Sequence, residues 1–177
     1  MNLKVVLFAV LAAIVVPNLN AQKFGYLDTD YILGQMTEYR AAQKQLDEIS
    51  NKWESDLKIM KADVDKLYKD YKAEEILLNA SQKKEREDAI VAKEDALKKF
   101  EQEKFGVNGE LFKKRQELIK PIQDKVFSAV QKVAKDNALD FIFDKSANLN
   151  ILFSNPKYDK SDDVLDILGV TPTELKK

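Results

Sequence analysis

Residues 37–71 read TEYRAAQKQLDEISNKWESDLKIMKADVDKLYKDY, and how this run is taken decides the fold. Its apolar side chains fall at Tyr39, Ala42, Leu46, Ile49, Trp53, Leu57, Met60, Val64, Leu67 and Tyr71, in steps of three and four. That spacing draws one narrow apolar stripe along a long helix, with a period between a supercoiled seam and a straight amphipathic helix. The composition continues through residue 137, rich in Lys, Glu, Asp, Ala and Leu, with no proline before Pro121. A single helix of that length does not fit a chain of this size as a core element. The segment is a rod or it folds back, and the residues favour folding back.

The fold-back is expected at Ile76-Leu77-Leu78-Asn79-Ala80-Ser81, where the stripe lapses. Asn79 and Ser81 are good N-caps because their side-chain oxygens accept orphan amide hydrogens. Glu85, Glu87 and Asp88 then crowd the start of the next helix, whose positive dipole end favours carboxylates. Asn79-Ala80-Ser81 also matches a glycosylation acceptor, but capping at a hairpin tip explains it without a sugar. The second stripe runs Ile90, Leu97, Phe100, Val107, Leu111, Leu118, Ile122, Val126, Val130 and Val133, broken where Lys104 and Arg115 take seam positions. Gly106 and Gly109 read either as a soft point or as glycines tolerated in an exposed helix, at about 1 kcal/mol each relative to alanine. Pro121 removes a helical hydrogen bond and reads as a kink where the arm enters the body. The result is an antiparallel α-hairpin over 37–119, whose first helix of about 42 residues is about 63 Å long.

Short strands bracket the hairpin. Lys23-Phe24-Gly25-Tyr26-Leu27-Asp28 alternates in polarity and precedes a brief helix capped by Thr29 or Asp30 and broken at Gly34. From Leu139 the period becomes strand-like. Leu139-Asp140-Phe141-Ile142-Phe143-Asp144 is one strand, Lys145-Ser146-Ala147-Asn148 a turn, and Leu149-Asn150-Ile151-Leu152-Phe153-Ser154 another strand. Ser161 is expected to cap a last helix that Gly169 stops. Three short strands carrying Phe24, Tyr26, Phe141, Phe143, Leu152 and Phe153 make a poor free-standing core, and their edges call for partners. Other copies of the chain in closed symmetry are the economical solution. The fold class is therefore α+β, mostly α: a helical hairpin over 37–119 on a β-rich oligomerisation body formed by 22–36 and 120–177.

Residues 1–21 read as a signal peptide. Lys4 precedes an unbroken apolar run from Val5 to Val16, and the leader ends near Ala21. The run is short of the ~20 apolar residues of a membrane helix. Export, with the periplasm as destination, follows. With no cysteine in the chain there is no disulfide framework and no lipid attachment at the cut. The formal net charge is −1, and loss of Lys4 with the leader makes it slightly more acidic, so no strong attraction to nucleic acid is implied. Charges of both signs alternate along the hairpin, the pattern of a solvated helical face.

The chemistry of an enzyme is missing. The chain has no His and no Cys, which excludes the usual general bases, thiol nucleophiles and zinc sites. Five scattered glycines assemble no phosphate loop. Gly106-Val107-Asn108-Gly109 has the spacing of an RNA-clamping loop but lies inside a helical pattern. Asp28-Thr29-Asp30 and Asp162-Asp163 lack a full set of oxygen ligands and read as helix caps, so neither metal nor cofactor is expected. What remains is apolar. Ile59, Tyr68, Ile76, Leu77, Val91, Phe105 and Phe112 lie off the stripes that join the arms. Exposed, they are scattered sticky points on a charged surface, holding a chain by several weak, exchanging contacts.

This order of elements resembles the Skp/OmpH family of periplasmic chaperones. The resemblance rests on the opening Lys23-Phe24-Gly25-Tyr26-Leu27-Asp28 strand, the two charged helices, the segment Val133-Ala134-Lys135-Asp136-Asn137-Ala138-Leu139-Asp140-Phe141-Ile142-Phe143-Asp144, and the closing Ser161-Asp162-Asp163-Val164-Leu165. It implies a homotrimer with three helical tentacles around a cavity that holds unfolded outer-membrane β-barrel proteins without ATP. Strongly basic members are thought to contact lipopolysaccharide or anionic membrane, and the net charge here gives that contact no support. Two other readings compete. An exported coiled-coil scaffold or spacer needs no exposed off-stripe apolar residues. A periplasmic efflux adaptor flanks its hairpin with long β-rich domains, which this chain lacks.

Overall fold

The computed structural model describes residues 22–146 and 151–173; the expected signal peptide and its cut near Ala21 lie outside the described residues. The elements are β1 (Phe24–Leu27), α1 (Thr29–Gln35), α2 (Thr37–Glu74), α3 (Ala80–Phe105), α4 (Glu110–Leu118), α5 (Lys120–Asp136), β2 (Phe141–Asp144), a single 3-10 turn (Pro156–Tyr158) and α6 (Ser161–Leu168).

The hairpin is formed as the stripe demands. α2 runs unbroken for 38 residues, about 57 Å. α3 returns antiparallel to it: Trp53 meets Phe105, Tyr71 meets Glu87, and Glu74 meets Arg86. At the tip Asn79 is the N-cap. Its side chain accepts from the Gln82 amide while the Gln82 side chain accepts from the Asn79 amide, both at 3.0 Å. This capping box gives Asn79 the role shared in expectation with Ser81, and the first turn of α3 carries no acidic residue.

The second arm is not one helix. α3 ends at Phe105, Gly106 is extended, Asn108 is left-handed with φ 64°, and Gly109 starts α4. A Cβ on Gly106 would run into the Gln102 carbonyl, and one on Gly109 would lie 2.9 Å from the Gly106 carbonyl oxygen. Both glycines are needed where the chain leaves and re-enters the helix, so simple tolerance does not account for them. The break also resets the phase of the stripe. Val107, expected on the seam, is 97% exposed, and Arg115 faces solvent while Leu111 and Leu118 keep inward positions. A second interruption falls at Ile119, between α4 and α5, because Pro121 has no amide hydrogen for the helical ladder.

The body's core is built largely from helices. Ile122, Val126, Ala129 and Val133 of α5 pack with Ile32, Leu33 and Met36 near α1, Val164 and Leu165 of α6, Leu27 of β1, and Ala42 and Leu46 at the root of α2. Gly34 does not break α1; the corner comes at Met36, one extended residue between two helices. Asp28 rather than Thr29 or Asp30 caps α1, accepting from the Tyr31 amide at 3.0 Å. Ser161 is the first residue of α6 rather than its cap, and its hydroxyl accepts from the Asp28 amide at 3.0 Å. Gly169 ends α6 in the left-handed region, φ 69°.

β1 and β2 pair in parallel, Phe24 opposite Phe141 through Leu27 opposite Asp144. The other edge of β1 is taken by an isolated bridge to Asp159, with the Lys160 amide donating to the Tyr26 carbonyl at 2.8 Å. The expected third strand is corrected here. Leu149 and Asn150 lie outside the described residues, and Ile151, Leu152, Phe153 and Ser154 have no strand geometry. Ile151 and Phe153 of this segment instead wall a cleft with Phe24 and Phe143.

Candidate interaction surfaces

Each arm presents a charged exterior. Pairs such as Lys84–Asp88 at 3.0 Å and Lys114–Glu117 at 2.7 Å are exposed i, i+4 and i, i+3 pairs worth a few tenths of a kcal/mol each. Against this background Ile59, Tyr68, Ile76, Leu77, Val91 and Phe112 are all exposed, Ile76 at the tip to 91%. They stand singly along the arms, except for Ile76 and Leu77, which share the tip turn.

Phe105 is a correction. It is half-buried, with its ring edge-on to Trp53 at a centroid separation of 6.2 Å, so it packs the joint between the arms. As the last residue of α3, beside the seam position held by Lys104, it turns its ring onto Trp53. Lys104 completes this joint. Its ammonium sits 5.1 Å from the Trp53 ring centroid and 2.7 Å from Glu110 Oε1, across the helix break. A lysine that breaks the stripe in sequence is thus held by an aromatic face and a carboxylate from the next helix. Further out, the Tyr71 hydroxyl donates to Glu87 at 2.6 Å. That hydrogen bond first, then burial and the negative charge of Glu87, pushes Tyr71 up to about 12.

The body carries the second surface. Alternation along β1 and β2 sends Leu27 and Ile142 toward the core, while Phe24, Phe141 and Phe143 share the outer face. Phe24, Phe141, Phe143, Leu152 and Phe153 are exposed, Leu152 to 99%. Tyr26, expected among the surface residues, is buried within the chain. One exposed aromatic was passed over in the sequence although it carries the same off-stripe mark: Phe127 lies off the α5 stripe and borders a cleft with Leu33, Val130 and Ile142.

A polar clasp fixes the sheet to α1. Asp144 accepts from the Thr29 hydroxyl at 2.6 Å and amide at 3.2 Å, and from the Ser146 amide at 3.0 Å and hydroxyl at 2.8 Å. Burial pushes this carboxyl up, but the four hydrogen bonds outweigh it and hold Asp144 below the ordinary carboxylate range. Among the described residues no helix is long and apolar enough to cross a membrane, and no cluster of acidic side chains is arranged to hold a metal ion.

A long charged hairpin seated on a small helix-and-sheet body defines a mostly α, α+β protein with two apolar surfaces. The chain belongs to the OmpH-like outer membrane protein family, whose model matches residues 23–168. Among solved structures it is similar to a Caulobacter crescentus CB15 protein described as an OmpH-like outer membrane chaperone, with a TM-score of 0.63, 16% identity and 83% of each chain covered. No curated protein matches the sequence. The family is non-enzymatic.

Proposed function

We propose that the chain is an ATP-independent periplasmic holdase that binds unfolded outer-membrane β-barrel proteins between helical tentacles. The observation carrying this reading is the set of single exposed apolar residues on a charged hairpin, in a family of outer-membrane proteins. Each such side chain yields about 1.5–3 kcal/mol when fully buried, before ordering costs. Several on tethered arms hold a chain by avidity while any one contact exchanges. In this division of labour 1–21 is the leader removed near Ala21, 37–119 is the tentacle, and 22–36 with 120–177 joins copies.

Three copies meet through the body. Phe24, Phe141, Phe143 and Phe153 are each about half exposed or more, and Leu152 almost fully. At about 150–250 Å² per aromatic side chain they offer on the order of 600 Å² of contiguous apolar surface. That is at the upper end of the ~300–600 Å² typical of a monomer's largest patch. The near-neutral charge leaves lipopolysaccharide out of this reading.

The test is dilution of an unfolded outer-membrane barrel protein from urea with and without this chain, followed by light scattering. The wild type keeps it soluble without ATP. Replacing Ile59, Tyr68, Ile76 and Leu77 together by Ser removes most of that protection while the subunit number stays the same. A variant as protective as wild type rejects the arm surface, and an unprotective wild type rejects the holdase. Raising salt to physiological strength leaves binding largely intact, since the contacts are apolar.

A further inference from the structure

Gln35, the last residue of α1, is only 3% exposed, and an amide so buried needs partners. All of its side-chain hydrogen bonds among the described residues go to one residue, Thr173. The Gln35 side-chain NH2 donates to the Thr173 carbonyl at 3.2 Å, and its oxygen accepts from the Thr173 amide and hydroxyl, both at 2.9 Å. The chain reaches this point because Gly169 turns it back from α6, the Val170 amide donates to the Leu165 carbonyl at 2.9 Å, and Val170 packs on the core.

The place where it docks matters. Thr173 and Val170 line a cleft with Gln35, Met36, Thr37 and Arg40, which straddles the corner between α1 and α2. That corner is a single extended residue, Met36, and α2 begins with no side-chain cap. Across the hairpin the returning arm is also interrupted, at Ile119, and Tyr39 and Ile119 both belong to the packing at the root. Both helices therefore break near the same level, where the arms leave the body. The ion pair spanning this level, Glu38–Lys125 at 2.8 Å, has side chains about half exposed and so constrains little.

We propose that residues 170–173 are a strap across the root of the arm, and that Gln35 is a positioning residue through which the strap sets the angle at which the hairpin leaves the body. The lever is long: over about 57 Å of α2, a change of about 10° at the root moves the tip by about 10 Å. For a holdase this angle sets how wide the arms stand apart, but the inference concerns the arm itself and its test needs no client.

The chain has no cysteine, so spin labels attach cleanly at Ala73→Cys near the tip and Lys135→Cys in the body. Labelled chains diluted into an excess of unlabelled ones report the distance within one chain by pulsed electron resonance. Gln35→Ala and a truncation after Val170 should each broaden the distribution and shift its centre by up to about 4 Å, because Lys135 lies about 24 Å along α5 from the root and a swing of about 10° changes the distance by no more than that arm allows. Circular dichroism should show the helix content kept. Thr173→Ser, which preserves every bond to Gln35, keeps the wild-type distance. A distribution unchanged in both Gln35→Ala and the truncation overturns the proposal, whether or not either lowers the melting temperature. The two variants alter opposite sides of the contact, so misfolding of one leaves the other decisive.

Discussion

Phe105→Ala should weaken the hairpin, whereas Phe112→Ala should not. The Phe105 ring is half-buried and edge-on to Trp53. Burying a phenylalanine fully is worth about 1.5–3 kcal/mol, so the buried part of this ring contributes about 1–2 kcal/mol. The edge-to-face pair adds about 0.5–1.5 kcal/mol, and the better helix propensity of alanine returns about half a kcal/mol. The net loss is about 2 kcal/mol. With a urea dependence of about 1–3 kcal/mol per molar, the midpoint falls by about 1 M. Trp53 is the only tryptophan and lies at this joint, so its fluorescence follows the transition directly. Phe112, exposed on α4, should shift the midpoint by less than about a quarter of that, in line with the small cost of surface substitutions. Equal midpoints for Phe105→Ala and wild type would refute the packing role and return Phe105 to the exposed set.

Three further outcomes follow from the backbone and the clasp. Gly106→Ala should destabilise the arm in urea despite alanine's advantage of about 1 kcal/mol in a helix, because its Cβ meets the Gln102 carbonyl; a stabilised variant would mean the break is not required. Ala138 sits at φ 50°, where an L side chain is strained by about 1–2 kcal/mol, so Ala138→Gly should stabilise the body by about 0.5–1 kcal/mol in thermal unfolding after the glycine entropy is subtracted. Asp144 has its folded pKa held below 3.8, so its clasp contributes stability above that pH and loses it as pH falls through the folded value. Asp144→Asn should therefore flatten the acid limb of the stability curve, and an acid limb identical to wild type would show that the clasp is not what titrates.

Much of the site was legible because helical periodicity is a local property. The stripe from Tyr39 to Tyr71 gave the first arm, Asn79 gave the turn, and residues off the stripe such as Ile59, Tyr68 and Leu77 are indeed exposed. Phe105 was misread because it stands one position past the seam at Lys104, and only the packing of the two arms shows its ring turned onto Trp53. Phe127 carries the same off-stripe mark as Ile59 and Phe112 but escaped because it lies on α5, in the body, where an apolar residue is expected to pack.

The sequence by itself determined that the chain makes a long charged hairpin, because burial of one stripe at a period near 3.6 needs only neighbours three and four residues away. It also determined that His and Cys chemistry is absent, since no fold supplies side chains the chain lacks. Only the tertiary structure decided what happens where segments distant in sequence meet. It placed residues 151–154 outside strand pairing, with Ile151 and Phe153 walling a cleft against Phe24 and Phe143. It brought Thr173 to Gln35 across 138 positions, a pairing fixed by the geometry of the buried amide and by no local pattern.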